Sequence, residues 1–421
     1  MFGICLYLEY KISYFGKRTE FGIQLCRMKF IIFLQSIFRF TYSAVITRQY
    51  SKTEFATAQP GSTAKIEDLI AWDNIFLEAI DPLDGVTYQY RYALVASKIF
   101  NQFLSPSEEP GIGNLRDNNS FIRVFRRKKG NFEWVDHGPA LTRGIELNVK
   151  TGEKLQSQSL WTMDAFQDPV TSIYTMLYTF RVVSTKKSES LVQHIGYPES
   201  NDGLHWVKKG LRIDAYQVDT QARKVSDGLS PLSMIDDQIP AFRDPKSILI
   251  GKDRHIFIAS KSEQKGKLVP SVAHFIAPKG DLTRLQLQKS IVPPMENYAQ
   301  LEVPSVFIKK GVVYLIVNAT RPKSGPVRAG EPTNDLFVLV YRSKDGFQGP
   351  WEPAGEQQEV LVGPSEIYPI SVSLSLSGKP IAVGHNYFAT AAVDALTNPV
   401  PVLLSKNGLR INKMSRWTLR N

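Results

Sequence analysis

Thiols are nearly absent from this chain of 421 residues: its two cysteines, Cys5 and Cys26, both lie near the N-terminus. From Met28 onward no side chain can form a disulfide, ligate zinc through sulfur or attack a substrate as a thiolate. Disulfide scaffolds, thiolate zinc sites and cysteine nucleophiles are therefore excluded from the body of the protein. Histidine is almost as scarce. Its six copies (His137, His194, His205, His255, His274 and His385) are scattered, with no HExxH or paired spacing, so no histidine metal centre is expected. No acidic loop has calcium-ligand spacing, and neither a metal nor any other cofactor is predicted.

Long apolar runs are also missing. No stretch of 18 uninterrupted apolar residues occurs, which argues against a spanning helix, and no segment keeps a long helical period. Acids are outnumbered, giving a formal charge of +11, but residues 1–67 alone carry nine Lys/Arg against four Glu, or +5. The rest of the excess includes Arg126-Arg127-Lys128-Lys129 and Lys186-Lys187, which sit beside turn residues and are not interleaved with aromatics. Such runs read as solvated hairpin ends, so neither nucleic acid nor a membrane is an expected partner.

Residues 1–52 are rich in Phe, Tyr, Ile and basic side chains and poor in acids. Met28-Lys29, the apolar run Phe30–Phe38 and small residues around Ser43-Ala44 resemble a signal peptide that starts at Met28, with Arg39 interrupting its core. That reading implies a secreted protein; an Arg-rich transit peptide or a spurious 5′ extension are the rivals. Residues 53–67, with Pro60-Gly61, read as a linker.

From Asp68 to residue 421 the texture is uniform. Short β-branched and aromatic runs alternate with turn signals at Tyr88–Val95, Phe121–Phe125, Ser172–Phe180, Ser247–Ile250, His255–Ile258, Gly311–Val317 and Asp335–Tyr341. Many short strands separated by turns imply a sandwich, a barrel or a propeller. A turn followed by Trp recurs at Gly130–Trp134, Asp202–Trp206 and Gly349–Trp351, 72 residues apart (134 to 206) and 145 residues apart (206 to 351). Those separations are one and two units of about 72, and 68–421 holds five such units, which predicts five four-stranded blades around a central channel. Three unrelated hairpins with core tryptophans remain the alternative.

In a propeller the innermost strands converge on the axis, so acids distant in sequence can share one pocket. Three acids stand in unusual company. Asp73 follows Trp72 in a mostly apolar stretch, where a carboxylate is costly to bury without partners. Asp244 lies in Phe242-Arg243-Asp244-Pro245, where the arginine can hold a neighbouring acid ionised. Glu302 sits within Leu301-Glu302-Val303-Pro304-Ser305-Val306-Phe307, and apolar surroundings raise a carboxyl toward the pKa a general acid needs. Each alone also reads as a structural salt bridge.

As a set, Trp72-Asp73, Phe242-Arg243-Asp244-Pro245 and Glu302-Val303-Pro304 resemble glycoside hydrolase family 68, the levansucrase, inulosucrase and bacterial invertase family. The likeness runs over roughly 68–390. It includes Trp134-Val135-Asp136-His137-Gly138-Pro139, Trp161 with Asp168-Pro169 and Leu177-Tyr178-Thr179, Asn318-Ala319-Thr320-Arg321, and Gly349-Pro350-Trp351. The resemblance implies an all-β, five-bladed propeller with a funnel-shaped active site, acting as a monomer on sucrose and passing fructose to water or a sugar acceptor.

The resemblance also implies Asp73 as nucleophile, Asp244 as transition-state stabiliser and Glu302 as acid/base, with Trp72, Trp161, Thr162, Arg243, Gln300, Arg321 and Tyr368 against the sugar. Two segments depart from the family. Trp-Ser-Gly-Ser becomes Trp161-Thr162-Met163-Asp164, leaving Thr162 as the substitute for a serine that bonds the nucleophile. Asp-Glu-Ile-Glu-Arg-Pro becomes Ala299-Gln300-Leu301-Glu302-Val303-Pro304, replacing a substrate-contacting Glu by Gln and an Arg by Val. These departures keep two alternatives open: a hydrolase of another furanoside (fructan or arabinan), and a propeller that binds carbohydrate without catalysis. Asn118-Asn119-Ser120 and Asn318-Ala319-Thr320 are glycosylation sequons that matter only on a eukaryotic secretory route.

Overall fold

A computed structural model describes residues 69–97, 120–148, 150–184, 191–224, 227–232, 241–295, 298–320, 336–354, 367–386, 396–405 and 408–411. All belong to the second of two compact units, Ala58–Asn421. The signal-peptide and linker readings, Arg321 and the Asn118 sequon lie outside the described residues.

Five antiparallel sheets follow one another along the chain. The first blade holds β1 (Leu69–Ile80), β2 (Thr87–Ser97), β3 (Phe121–Lys128) and β4 (Val135–Leu141). The second holds β5 (Ile145–Leu147), β6 (Lys154–Gln167), β7 (Tyr174–Val182), β8 (Gln193–Ser200) and β9 (Val207–Ile213); β5 pairs only with the start of the long β6. The third holds β10 (Arg243–Ile250), β11 (Asp253–Gln264), β12 (Lys267–Ala277) and β13 (Gln286–Leu287), and the fourth β14 (Gln300–Lys309), β15 (Val312–Thr320), β16 (Leu336–Ser343) and β17 (Glu352–Pro353). The fifth holds β18 (Ile367–Leu374), β19 (Pro380–Asn386), β20 (Val400–Ser405) and β21 (Gly408–Ile411). One strand of each blade touches its counterparts in a closed circuit, β1 to β6 to β10 to β14 to β18 and back to β1. This is a five-bladed propeller with those five strands around its axis.

The apolar texture of the sequence follows from this architecture. Successive side chains of a strand point to opposite faces, and here both faces of every blade meet another blade. In β11, Ile256 and Ile258 pack toward the second blade while Phe257 and Ala259 pack toward the fourth. Five apolar clusters result, one in each seam. Trp134, Trp206 and Trp351 occupy the same position in the first, second and fourth blades, just before or at the start of the outermost strand, as the 72-residue spacing predicts. Among the described residues a helix, α1 (Ala215–Lys224), not anticipated from the sequence, lies between the second and third blades.

The ring closes between the first and last blades around a buried cation. Arg91 of β2 is 0% exposed, and burial pushes its pKa down to about 9, still charged at neutral pH. It donates to Asn74 Oδ1 from Nε (3.0 Å) and Nη2 (2.5 Å), to Gly384 O (3.2 Å) and to Thr397 O. Replacing it by an apolar side chain strands those oxygens, each worth about 1–3 kcal/mol when buried without a donor. Arg91→Met is expected to lower stability by about 3 kcal/mol, read as an earlier urea midpoint at unchanged slope. An unchanged midpoint would remove Arg91 from ring closure.

Candidate active site

Every axial strand carries the same irregularity at the same height. Against its neighbour, each has two residues opposing one: Trp72 and Asp73 in β1, Trp161 and Thr162 in β6, Asp244 and Pro245 in β10, Val303 and Pro304 in β14, Tyr368 and Pro369 in β18. A bulge of this kind releases a residue from the ladder and re-aims its side chain. Proline, which has no N–H to give, is tolerated at such a point. Of the ten sequence-nominated site residues, six fall inside bulges, Arg243 and Glu302 directly precede one, and Gln300 lies two residues before Glu302. Tyr368 is in the fifth bulge, but its side chain, like Arg321, lies outside the described residues.

The bulges bring the three acids into one connected group. The Thr162 hydroxyl donates to Asp73 Oδ2 and lies close enough to Asp244 to help lower its pKa. One hydroxyl thus lies beside two carboxylates from different blades. Arg243 extends the chain of contacts, with Nε 3.6 Å from Asp244 Oδ2 and Nη2 donating to both Glu302 Oε1 (2.9 Å) and Gln300 Oε1 (2.5 Å). Such a charge-assisted fork fixes orientation as well as charge. Asp73, Asp244 and Glu302 therefore meet through one hydroxyl and one guanidinium.

Their environments differ in ways that bear on chemistry. The Asp244 side chain is only 4% exposed, against 28% for Glu302, so Glu302 is the carboxyl that an incoming or departing group can reach. Asp244 accepts from the Val303 N–H at 3.0 Å, and its own N–H donates to Thr179 Oγ1 at 2.9 Å. Burial pushes its pKa up to about 6; Arg243 pulls it down, and Glu302 adds to the rise. The sequence leads one to expect Arg243 to hold Asp244 fully ionised, but desolvation outweighs that attraction. Asp244 (φ 58°) and Val303 (φ 45°) both adopt the left-handed region. For the β-branched Val303 that conformation costs about 1–3 kcal/mol, and it aims the N–H at Asp244.

Trp72 and Trp161 are half-buried. The Trp161 indole N–H donates to Ser159 Oγ at 3.1 Å, and the Arg181 guanidinium lies 5.8 Å from a Trp161 ring centroid. Both rings can offer a flat apolar wall to a sugar. Asn318, the second sequon, is 0% exposed and bonds the backbone of Ile370 with both ends of its amide, at 2.8 Å each. It joins β15 to β18 and is not an available glycan acceptor.

The sequence reading passed over Thr179, which carries the Asp244 backbone, and a second polar layer below the bulges. There Asp164 pairs with Lys246 at 2.8 Å and accepts from Ser247, whose hydroxyl takes a bond from Arg254 at 3.3 Å. Asp164 is an acid inside the apolar run 160–166, the signal that singled out Asp73 and Glu302.

No family model and no curated protein matches the chain by sequence. Among solved structures, Bacillus subtilis levansucrase superposes with TM-score 0.53 at 13% identity, covering 88% of this chain and 92% of its own. The chain has the levansucrase fold. A B. megaterium levansucrase variant gives TM-score 0.53 at 13% identity over 89% of this chain and 96% of its own. A levansucrase variant complexed with sucrose gives 0.52 at 14% over 88% and 92%. The likeness to these levansucrases is one of fold and spans most of both chains.

Proposed function

We propose that this protein is a retaining fructosyl-transferring glycosidase that cleaves sucrose and passes the fructosyl unit to water or to a growing fructan. The observation that carries the reading is the connected group of Asp73, Asp244 and Glu302, placed in or directly beside the bulges of three different blades and linked through Thr162 and Arg243. Asp73 attacks the anomeric carbon of the fructosyl unit as Glu302 protonates the leaving glucose oxygen, giving a covalent fructosyl-enzyme. Glu302, now ionised and still within reach of solvent, takes the proton of the acceptor whose oxygen displaces Asp73. Asp244 accepts hydrogen bonds from fructosyl hydroxyls and strengthens them as positive charge develops on the ring. Arg243 holds Glu302 in line, and Gln300 accepts from the same guanidinium through its carbonyl oxygen.

The fold likeness to a levansucrase complexed with sucrose supports the substrate class. The test is glucose release by the purified protein from sucrose, beside reducing sugar released from arabinan, with free fructose relative to glucose reporting the share passed to water. Glucose from sucrose is expected. Release from arabinan alone would move the protein to another furanoside, and sucrose binding without turnover at any pH would make it a binding module.

A further inference from the structure

Below the bulges a buried ion pair joins the second and third blades beside the propeller axis. Asp164 of β6 and Lys246 of β10 lie 2.8 Å apart with side chains 4% and 5% exposed. Three donors converge on that carboxylate: Lys246 Nζ, the Ser247 N–H at 2.9 Å and the Ser247 hydroxyl at 2.8 Å. Lys246 Nζ also donates to Ser373 Oγ of β18 at 2.7 Å. The third and fifth blades are not neighbours in the ring, so this bond spans the axial opening. Burying an ion pair contributes little net stability, because desolvation offsets the attraction. What it fixes is the relative position of strands.

The two ends of the pair sit directly beneath the reacting group. Asp164 is two residues from Thr162 on β6, and Lys246 is two residues from Asp244 on β10. Asp244 has anchors of its own in Thr179, Val303 and Arg243. The Thr162 hydroxyl goes where β6 carries it. A bulge interrupts the ladder at Thr162, and Asp164 is the next polar side chain that ties β6 to another blade.

We propose that the Asp164–Lys246 pair is an axial bolt that positions the Thr162 hydroxyl between Asp73 and Asp244. Both are positioning residues: they act on the reaction through Thr162 and do not touch the sugar. The inference rests on the glycosidase reading above, and it specifies which part of this chain, outside the three acids, sets their alignment.

The test is a cycle of four proteins: the parent, Asp164→Asn, Thr162→Val and the double variant. Asp164→Asn is expected to lower kcat for glucose release about 10–100-fold with KM changed less than about twofold, since misplacing a reacting group by a fraction of an ångström acts on turnover. In the Thr162→Val background the same change is expected to cost less than about threefold, because contacts that share one partner are not additive. Equal factors in the two backgrounds, or an unchanged kcat in Asp164→Asn, overturn the proposal. Asp164→Asn leaves a buried ammonium without its counter-charge, so Asp164→Asn combined with Lys246→Gln keeps an amide bond across the axis. That pair is expected to recover the melting temperature and part of kcat; recovery of melting with no recovery of kcat counts against the bolt. A folded parent that releases no glucose refutes the glycosidase reading itself, and the bolt is then judged from melting temperatures of the same four proteins. A smaller loss from Asp164→Asn in the Thr162→Val background supports it, and additive losses overturn it.

Discussion

Asp73→Asn is expected to lower glucose release from sucrose on the order of 10⁴-fold or more, with the melting temperature close to that of the parent. The substitution keeps the shape of the side chain and an oxygen that can accept from Thr162. On the proposed mechanism the carboxylate that forms the covalent bond disappears, and the other two acids of the group have roles of their own. Asp244 is engaged by Arg243 and by the Val303 N–H, and Glu302 is held by Arg243. Loss of the general acid through Glu302→Gln removes a smaller factor, since proton transfer contributes about 10²–10⁴-fold. Steady-state release of glucose, with the unfolding transition of each variant beside it, makes the measurement. Retention of more than about a hundredth of the parent rate by folded Asp73→Asn would take the nucleophile's role away from that residue.

Much of this arrangement is legible in the chain because propeller blades impose a strong pattern on sequence. Each of the seven short apolar runs overlaps a strand, and they read as largely apolar stretches since each blade is covered on both faces. Three tryptophans at multiples of one spacing mark equivalent corners of the blades. The helix Ala215–Lys224 was missed because a ten-residue element yields barely three turns of periodicity, although its signals are present: Asp214 accepts from the Tyr216 N–H at 2.9 Å, Ala215, Val218, Asp219 and Ala222 form the buried face, and Arg223-Lys224 end it.

The candidate site is legible for a different reason. A carboxylate inside an apolar run is costly unless something across space answers it, so Asp73, Asp244 and Glu302 each announce an unseen partner. Sequence does not say which partner. Thr162 comes from 89 residues away and the Arg243–Glu302 contact spans 59. The five bulges are equally hidden, because a two-against-one mismatch is a property of a strand pair and leaves no mark on one strand except the prolines at 245, 304 and 369. Nor could the arginine beside Asp244 reveal that burial would prevail over it. That balance depends on how completely the neighbouring blades exclude water.

Asp244→Asn is expected to move activity and stability in opposite directions. Asp244 has a folded pKa raised from 3.8 to about 6 by burial, so the folded protein binds this proton more tightly than the unfolded chain does. A group of that kind contributes most favourably below about pH 4, and stability declines as pH rises through the interval up to about 6 and stays lower above it. Asparagine resembles the protonated acid and never ionises, and its carbonyl oxygen can still accept from the Val303 N–H. The variant is therefore expected to match the parent near pH 4 and to exceed it by roughly 1–3 kcal/mol at pH 7, read from urea midpoints at the two pH values. Activity falls over the same comparison, on the order of 10²–10³-fold, because the negative charge that answers the developing positive ring is gone. A variant less stable than the parent at pH 7 would mean that the bond to Arg243 outweighs the desolvation of Asp244. A variant both more stable and fully active would leave this buried acid with no part in transition-state stabilisation. The predicted outcome, a carboxylate held ionised against its surroundings where stability alone favours the amide, is a cost of the kind that catalysis imposes on a fold.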